Sequence, residues 1–349
     1  MFPDTLSAPA NVQPALAAAG FVTAPLGDNG FGLRLALSRG DAADAVTALE
    51  AAGDVLPRLL DAAGGLLVLT GMRAIEDDPA LLVRLSRLFG PEVEDYRRTL
   101  TPANMIHTQV PEILVVSNLP PADRAPPARP DPPLTADGRL PVQFPHRRGW
   151  HTDQSFRRPP PDISLFYCAE PAPKDQGQTL YACGTAAYAA LPDEVKDQLD
   201  GLQGIHVMPG TGRSEYAVRD GETPRPLAPH EAPQRQPVVR IHPTTGRPAL
   251  YLCEAGQMDW TIGPFEGMEP GPDGAGARLL YDLMYHYTGE AYTYAHAWDA
   301  GDLTIYDNRS TIHSATWFDA NRHRRVMWRT TVRGNPGPDY DGERASWLP

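Results

Sequence analysis

The segment DLTIYDNRSTIHSATWFDANRHRRVMWRTTV, residues 302–332, decides the fold class of this chain. Three strands are predicted within it, over Asp302 to Tyr306, Thr311 to Phe318 and Arg324 to Val332. In each of them β-branched and aromatic residues cluster between short polar turns. Strands that follow one another this closely indicate a β architecture.

The same strand signals continue on the N-terminal side of this segment. Further strands are predicted over Leu66 to Leu69, Glu112 to Ser117, Asp162 to Cys168, Thr179 to Cys183, Gln236 to His242, Ala249 to Cys253 and Ala291 to Trp298. Helices are predicted over Ala42 to Ala63, Asp78 to Leu88, Thr185 to Leu199 and Ala275 to His286. Many short strands with a few helices predict a mainly β, double-sheet fold with helical decoration.

The composition excludes several classes of protein. The chain has 349 residues with 31 Lys and Arg against 43 Asp and Glu, a net charge of −12, so phosphate-rich partners would be repelled. We therefore expect no nucleic-acid partner, and without an apolar run of membrane-spanning length no membrane partner either. Its three cysteines form no C-x-x-C pair, and no basic residue precedes Arg34, which predicts a cytoplasmic protein without a signal peptide. The sequence leaves a homo-oligomer open.

A Pro-rich segment interrupts the strand pattern between Pro120 and Pro145, where nine prolines occur in 26 residues. Such a stretch cannot pair in a sheet or form a helix, so it is predicted to be an extended loop. Two interpretations stay open. The segment, with the loop from about Gly210 to Pro233, closes over a substrate as a lid, or it is a solvated insertion without a catalytic role.

Candidate metal ligands begin with the W-H-T-D stretch, residues 150–153. His151 and Asp153 are two residues apart, so on a strand they share a face and could hold one ion as part of a 2-His-1-carboxylate triad. A His–Asp pair at the surface is the alternative. A third ligand must come from a distant strand, and His313 at the end of D-N-R-x-x-x-H offers one.

Two arginines in the last predicted strand are candidates for binding anions. Arg325 and Arg329 share one face of a strand, while Val326 and Trp328 take the other. Guanidinium groups that face into a β fold require anions, because an unpaired buried charge is costly. The alternative is that one or both lie on an exposed sheet edge.

Four motifs in order resemble the taurine dioxygenase-like family of Fe(II)- and 2-oxoglutarate-dependent dioxygenases, which also includes 2,4-dichlorophenoxyacetate dioxygenase. They are W-H-T-D-Q-S-F (150–156), G-Q-T-L-Y-A (177–182), D-N-R-x-x-x-H-x-A-x-x-F-D (307–319) and R-R-V-M-W-R (324–329). The resemblance implies a double-stranded β-helix (jelly roll) flanked by helices. With the composition of the chain, this predicts one dioxygenase domain over 1–349, comprising an N-terminal helix and strand region at 1–95, a Pro-rich loop and lid region at 96–149, a jelly-roll core with the iron site at 150–334 and a C-terminal tail at 335–349.

The resemblance also implies roles for individual residues. His151, Asp153 and His313 would bind Fe(II). Thr179 and Arg325 would bind the cosubstrate 2-oxoglutarate, and Arg329 would lie by its keto-acid end or by a substrate anion. With O₂, the family's reaction releases succinate and CO₂ while a C–H bond is oxidised. Relatives that halogenate lack the carboxylate, so Asp153 favours hydroxylation or a related oxidation.

The residues upstream of the metal motif bear on the identity of the substrate. Where taurine enzymes have a His and a Tyr, the region PANMIHTQVPE offers only His107, and their Asn four residues before the metal His is Arg147 here. Together with Arg329 these residues favour a small anionic molecule other than taurine. Arg148 adds a further positive charge beside Arg147, and the alternative is that Arg147 and Arg148 lie on the outer rim. Candidate substrates are a sulfonate, a sulfate ester, an aryloxy acid or an amino-acid-derived intermediate of a biosynthetic pathway. The alternative to an enzyme is a non-catalytic ligand-binding protein that keeps the jelly roll.

Overall fold

The computed structural model describes residues 8–127, 149–254 and 257–343. Arg147 and the greater part of the Pro-rich segment lie outside these ranges. The strands are β1 Phe21–Pro25, β2 Leu33–Leu37, β3 Leu66–Thr70, β4 Glu92–Val93, β5 Leu114–Ser117, β6 Ile163–Glu170, β7 Thr179–Cys183, β8 Gln203–His206, β9 Gln234–Pro237, β10 Val239–Ile241, β11 Pro248–Leu250, β12 Thr293–His296, β13 Leu303–Asp307, β14 Thr311–Ala315 and β15 Val326–Arg333. The helices are α1 Gln13–Ala18, α2 Ala42–Ala51, α3 Val55–Ala62, α4 Ala74–Asp77, α5 Ala80–Arg87, α6 Gly184–Ala189, α7 Asp193–Leu199, α8 Glu215–Arg219 and α9 Ala275–Tyr287.

Two sheets organise the chain. The major sheet has the strand order β1-β2-β3-β13-β6-β15-β4, and β5 pairs with β15 as well. The minor sheet has the order β12-β7-β14, and β8-β9 and β10-β11 form two separate antiparallel pairs. Apart from the parallel pair β2–β3, the pairings in both sheets are antiparallel. The predicted mainly β fold with helices is confirmed.

The alternation of side chains along the major sheet separates a core face from a site face. Leu165, Ile305 and Trp328 point to one face and bury apolar surface against helices α2, α3 and α5 in a single cluster. Their strand neighbours Phe166 and Arg329 point the other way and line a cavity. The apolar half of each strand thus anchors the sheet, and the other half is available for chemistry.

The minor sheet has the same division. Leu180, Ala182 and Ile312 pack with helices α6 and α9 in a second core cluster, which also buries Trp150. The intervening residue Tyr181 instead packs with Tyr306 of the major sheet, with ring centroids 5.3 Å apart. Residues between the two sheets therefore come from both of them.

Two long predicted helices are each broken in the structure. The helix predicted from Ala42 to Ala63 is divided into α2 and α3 at Gly53, whose φ of 69° suits a residue without a Cβ. The helix predicted from Thr185 to Leu199 is divided into α6 and α7, and Pro192 precedes the second. Strands β1 and β2 had no clear sequence signal. In the part of the chain that the structure describes, no helix has both the length and the apolar character needed to cross a bilayer.

Candidate active site

His151, Asp153 and His313 meet between the two sheets. One possible ligand atom from each of them lies within 4.8 Å of the others. The backbone N–H of His151 donates to the His313 carbonyl at 2.9 Å, and the His313 N–H donates to the His151 carbonyl at 2.8 Å. This bridge between the ligand segment and β14 sets the two imidazoles side by side, with ring centroids 4.3 Å apart.

The Asp153 carboxylate is buried and held from several sides. Its Oδ2 accepts hydrogen bonds from Ser164 Oγ at 2.8 Å and from Tyr306 OH at 2.9 Å. Its Oδ1 contacts the Arg329 guanidinium and lies 4.0 Å from His313 Nε2. Burial, the largest single effect, would raise the pKa of Asp153, but the charge of Arg329, the two histidines and the Ser164 hydrogen bond together outweigh burial and lower the pKa. Asp153 is therefore ionised at neutral pH.

Both histidines are neutral at neutral pH. Burial lowers the pKa of His151, and burial together with the neighbouring His151 lowers the pKa of His313 to about 3. His151 Nδ1 lies 2.6 Å from the Gly149 carbonyl, which can only accept, so Nδ1 carries the proton and Nε2 keeps its lone pair. Neutral imidazoles and one carboxylate are the donor set that suits a divalent transition metal.

Asn308 connects the turn before β14 to the ligand segment. Its side-chain Oδ1 accepts the backbone N–H of Asp153 at 3.2 Å, and its Nδ2 donates to Ser164 Oγ at 2.8 Å. Thr152 Oγ1 donates to the Asn308 carbonyl at 2.9 Å. The Asn of the D-N-R motif therefore positions Asp153, whereas the sequence only identified the motif.

The Asp and Arg of the same motif form a separate buried network. Arg309 donates to both Asp307 oxygens at 2.8 and 2.7 Å, and His242 Nε2 lies 2.9 Å from Oδ2. Asp61 lies 3.6 Å from His242, so these groups form a second cluster of metal-ligating side chains. Because Asp307 is already engaged by Arg309 and His242, we interpret this cluster as structural support for the turn.

Asp307→Asn is expected to lower the free energy of unfolding of the metal-free protein by about 3–5 kcal/mol. The change leaves Arg309 buried without its counter-charge, and removing one partner of a buried ion pair has an effect of this size. Urea unfolding followed by circular dichroism measures it. Asp193→Asn, in an exposed pair with Lys196, is the control, with an expected change within about 0.5 kcal/mol. A loss below about 1 kcal/mol in Asp307→Asn would contradict the assigned role.

A cavity of about 430 Å³ adjoins the side chains of His151 and His313, a size within the ~300–1,000 Å³ range of small-molecule sites. His151 and His313 form part of its wall. The other lining residues are Val116, Ser117, Asn118, Arg124, Ala125, Pro126, Pro127, Gly149, Phe166, Thr179, Leu180, Tyr306, Ser314, Ala315, Thr316, Trp317, Phe318, Arg325 and Arg329. Among these described residues there are three arginines and no Asp or Glu.

Arg325 and Thr179 bring unused donors to the cavity. Arg325 is buried, its Nε donates to the Gly177 carbonyl at 3.2 Å, and its Nη2 has no hydrogen-bond partner among the described residues. Burial lowers the pKa of Arg325 to about 10. Thr179 Oγ1 accepts the indole N–H of Trp298 at 3.1 Å, which leaves the Thr179 hydroxyl proton free to donate elsewhere. Gly177 has a φ of 62°, and a Cβ there would lie 3.2 Å from Arg325 Cδ.

The structure does not bring every predicted site residue to the cavity. Arg329 lines it and also contacts Asp153, whereas His107 does not line it. The His107 ring packs edge-on against Trp328 at 5.0 Å, and its Nδ1 accepts the backbone N–H groups of Gln109 and Val110. Arg147 lies outside the described residues.

Three residues near the site were not singled out from the sequence. Tyr306 and Trp298 follow the period-two pattern of their predicted strands, and that pattern with a nearby ligand could have identified them. Arg124 carries no such signal, because it lies in the Pro-rich segment. Of that segment, residues 124–127 line the cavity, and no residue of the described 210–233 loop does.

Comparison with known proteins places this arrangement in a family. The model of the taurine catabolism dioxygenase TauD, TfdA family matches residues 25–331, which is most of the chain. This chain belongs to the TauD/TfdA family. The match includes the minor sheet, most of the major sheet and all three potential metal ligands, so the sequence resemblance is confirmed.

Curated members of the TauD/TfdA family match over part of their length. The α-ketoglutarate-dependent 2,4-dichlorophenoxyacetate dioxygenase of Cupriavidus pinatubonensis is 31% identical over 184 residues, 52% of this chain and 59% of that protein. The (S)-phenoxypropionate/α-ketoglutarate-dioxygenase of Sphingobium herbicidovorans is 31% identical over 195 residues, 55% of this chain and 64% of that protein. This chain thus spans less than two thirds of the length of these relatives.

A solved structure is similar to this chain over nearly its whole length. It is described as a putative α-ketoglutarate-dependent taurine dioxygenase from Burkholderia xenovorans, with a TM-score of 0.60 and 22% identity, covering 93% of this chain and 97% of that one. At this identity the similarity concerns the fold.

Proposed function

We propose that this chain is an Fe(II)- and 2-oxoglutarate-dependent dioxygenase that oxidises a C–H bond of a small anionic organic substrate. One observation carries the proposal. His151, Asp153 and His313 gather beside a cavity that also receives the unpartnered guanidinium nitrogen of buried Arg325. Membership of the TauD/TfdA family and the activities of the two relatives named above support the same activity.

The donor chemistry of the three residues fits Fe(II). Two neutral imidazoles and one ionised carboxylate form the 2-His-1-carboxylate set that non-haem iron oxygenases use. Ser164, Tyr306 and Arg329 fix the carboxylate of Asp153 from outside the ligand set. Partners of this kind orient ligands and tune a metal, so they belong to the site as much as the ligands do.

The donors of Arg325 and Thr179 fit the distal carboxylate of 2-oxoglutarate. The buried Arg325 Nη2 has no acceptor among the described residues, which is costly, and an incoming carboxylate would satisfy it with a charge-assisted hydrogen bond. Trp298 can only donate through its indole N–H, so it directs the Thr179 hydroxyl proton towards the same acceptor. Trp298 is therefore a positioning residue for the cosubstrate.

Trp298→Phe is expected to raise the Kd for 2-oxoglutarate about fivefold while metal binding is retained. The change keeps an aromatic ring against Phe166 but removes one neutral hydrogen bond, worth about 1 kcal/mol. Calorimetric titration of the Mn(II)-loaded protein measures the affinity. In the Thr179→Val background the same substitution is expected to add little, which separates positioning from packing. Equal effects of Trp298→Phe in both backgrounds would contradict the role.

The residues of this chain supply binding and orientation rather than the oxidising power. When bound, Fe(II) with 2-oxoglutarate and O₂ supplies the oxidation, coupled to formation of succinate and CO₂. Arg325 and Thr179 would hold the distal carboxylate of 2-oxoglutarate. The positive charge of Arg329 helps to keep Asp153 ionised. Phe166, Leu180 and other apolar lining residues keep part of the cavity dry. A dry site strengthens these electrostatic contacts and limits side reactions.

We also propose that the facing major and minor sheets form the double-stranded β-helix implied by the resemblance. The proposed ligands Asp153 and His313 lie between these sheets, and Tyr181 of β7 packs across to Tyr306 of β13. Support comes from the matching fold of the Burkholderia xenovorans structure.

The charge of the cavity favours an anionic primary substrate. No Asp or Glu occurs among its described lining residues, while three arginines do. The relatives named above act on 2,4-dichlorophenoxyacetate and (S)-phenoxypropionate, which are both carboxylates. A small acid would meet the same requirement here.

Anaerobic titration of the Fe(II)-loaded protein with 2-oxoglutarate tests the proposal. A weak visible charge-transfer band is expected to grow with 2-oxoglutarate and to need the metal. A succinate-release screen of carboxylates, sulfonates, sulfate esters and amino acids then searches for the substrate. Absence of any metal-dependent 2-oxoglutarate binding would refute the proposal. Binding without succinate release from any compound would favour the non-catalytic alternative.

A further inference from the structure

The short segment Arg124–Pro127 forms one wall of the cavity next to the proposed iron site. Its backbone is held in place, because the Arg124 N–H donates to the Ser117 carbonyl at the end of β5 at 2.8 Å. Asn104 Nδ2 donates to the Pro121 carbonyl at 2.6 Å just upstream. Arg124 is exposed to solvent yet lines the cavity, so this residue lies at the mouth of the cavity.

Arg124 is the lining arginine for which the proposed function provides no partner. Arg329 already contacts the Asp153 carboxylate, and Arg325 is assigned to the distal carboxylate of 2-oxoglutarate. No carboxylate of a described residue forms an ion pair with Arg124. A divalent metal and a cosubstrate dianion cancel in charge. The guanidinium groups of Arg124, Arg325 and Arg329 are then balanced only by the carboxylate of Asp153, which leaves two excess positive charges around the cavity.

Arg124 lies near the proposed reaction centre, because Arg124, His151 and His313 line the same cavity. Arg325 lines this cavity as well, and after burial the positive charge of Arg124 contributes to lowering the pKa of Arg325. A molecule bound in the cavity can therefore contact Arg124 with one end while another part lies near His151 and His313.

We propose that Arg124 binds the anionic group of the primary substrate and so selects carboxylates, sulfonates or sulfate esters over neutral molecules of the same shape. The inference rests on the proposed function, since the cosubstrate accounts for Arg325. A planar guanidinium at the mouth can receive two oxygens of an anion at once, which gives both affinity and orientation. The rest of the substrate then points inwards.

The test compares wild type with Arg124→Gln and Arg124→Lys in the Mn(II)- and 2-oxoglutarate-loaded protein, which does not turn over without O₂. Each protein is titrated calorimetrically with phenoxyacetate, hexanesulfonate and hexyl sulfate, and with phenoxyacetamide as the uncharged match of the first. Wild type is expected to bind at least one anion more tightly than the amide. Arg124→Gln is expected to weaken that binding about tenfold or more, and Arg124→Lys to restore part of it. The three anions distinguish carboxylate from sulfonate and sulfate recognition.

Two controls keep the result specific. Arg98→Gln removes one exposed positive charge away from the cavity and is expected to leave every affinity unchanged. The Kd for 2-oxoglutarate is measured in each variant and is expected to stay within twofold of wild type. Failure of wild type to bind 2-oxoglutarate would instead refute the proposed function itself.

Three results would contradict the proposed role of Arg124 without contradicting the proposed function. The first is equal anion affinity in wild type and Arg124→Gln. The second is wild type that binds 2-oxoglutarate but none of the anions. The third is a loss of 2-oxoglutarate affinity in Arg124→Gln as large as the loss for the anions, which would assign Arg124 to the cosubstrate.

Discussion

Replacing His313 by alanine is expected to abolish tight Fe(II) binding and 2-oxoglutarate turnover while the protein stays folded. His313 would supply one of only three ligands, and its imidazole is neutral at neutral pH because burial and the neighbouring His151 lower its pKa to about 3. Alanine leaves one imidazole and one carboxylate, and the remaining Asp153 is already engaged by Arg329. Two ligands cannot replace the triad that suits this metal.

Metal binding is best measured by anaerobic calorimetry with Fe(II), and turnover by succinate release. His242→Ala is the sharpest control, because His242 belongs to the second cluster of metal-ligating side chains with Asp61 and Asp307. That variant is expected to lose stability but to bind one Fe(II) when folded. His286→Ala, a half-buried histidine on α9, controls for removal of an imidazole elsewhere. Unchanged iron affinity in His313→Ala, or its loss in His242→Ala alone, would move the iron site to the second cluster.

Replacing Arg325 by lysine is expected to raise the Kd and KM for 2-oxoglutarate at least tenfold with the metal site intact. Lysine keeps a positive charge but cannot form the two parallel hydrogen bonds of a guanidinium, and it loses its charge more readily when buried. Arg325 is buried and its Nη2 has no hydrogen-bond partner in the described part of the chain, so the full contact to an incoming carboxylate would be lost. Losing a charge-assisted hydrogen bond corresponds to about 1.5–3 kcal/mol, or roughly 10–100-fold.

Arg333→Lys is the matched control for this effect. Arg333 lies on the same strand, β15, and contacts Glu94 and Gln154 away from the cavity. Its replacement is expected to affect stability and to leave 2-oxoglutarate affinity unchanged. If Arg329→Lys raised the KM and Arg325→Lys did not, the two arginines would have to exchange roles. Arg329→Lys is instead expected to disturb Asp153 and the metal, because those two side chains are in contact.

Much of the candidate site could be predicted because side chains alternate along strands. The period of two put Arg325 and Arg329 on one face and Trp328 on the other, and the structure has Arg325 and Arg329 in the cavity with Trp328 in the core. The pair His151 and Asp153 was recognised from local spacing in the same way. Local periodicity survives folding because the hydrogen-bonded strand keeps it.

Contacts between segments that are far apart in sequence could not be predicted in this way. Motif order suggested that His313 joins His151, but the 162-residue separation became a contact only through the bridge between the ligand segment and β14. The breaks between α2 and α3 and between α6 and α7 had local causes, at Gly53 and Pro192, that the helical pattern around them obscured. Neither break affects the cavity.

The sequence by itself determined the family, the mainly β fold class and the residues that could bind a metal and an acid. Only the tertiary structure decided that His107 faces Trp328 rather than the cavity, that Trp298 holds Thr179, and that Arg124 stands at the mouth. The extended backbone of a strand places alternate side chains on opposite faces, so the direction of each side chain follows from the local sequence. A loop has no such period, so the position of a residue like Arg124 depends on its packing and on individual hydrogen bonds, here the one to Ser117 of β5.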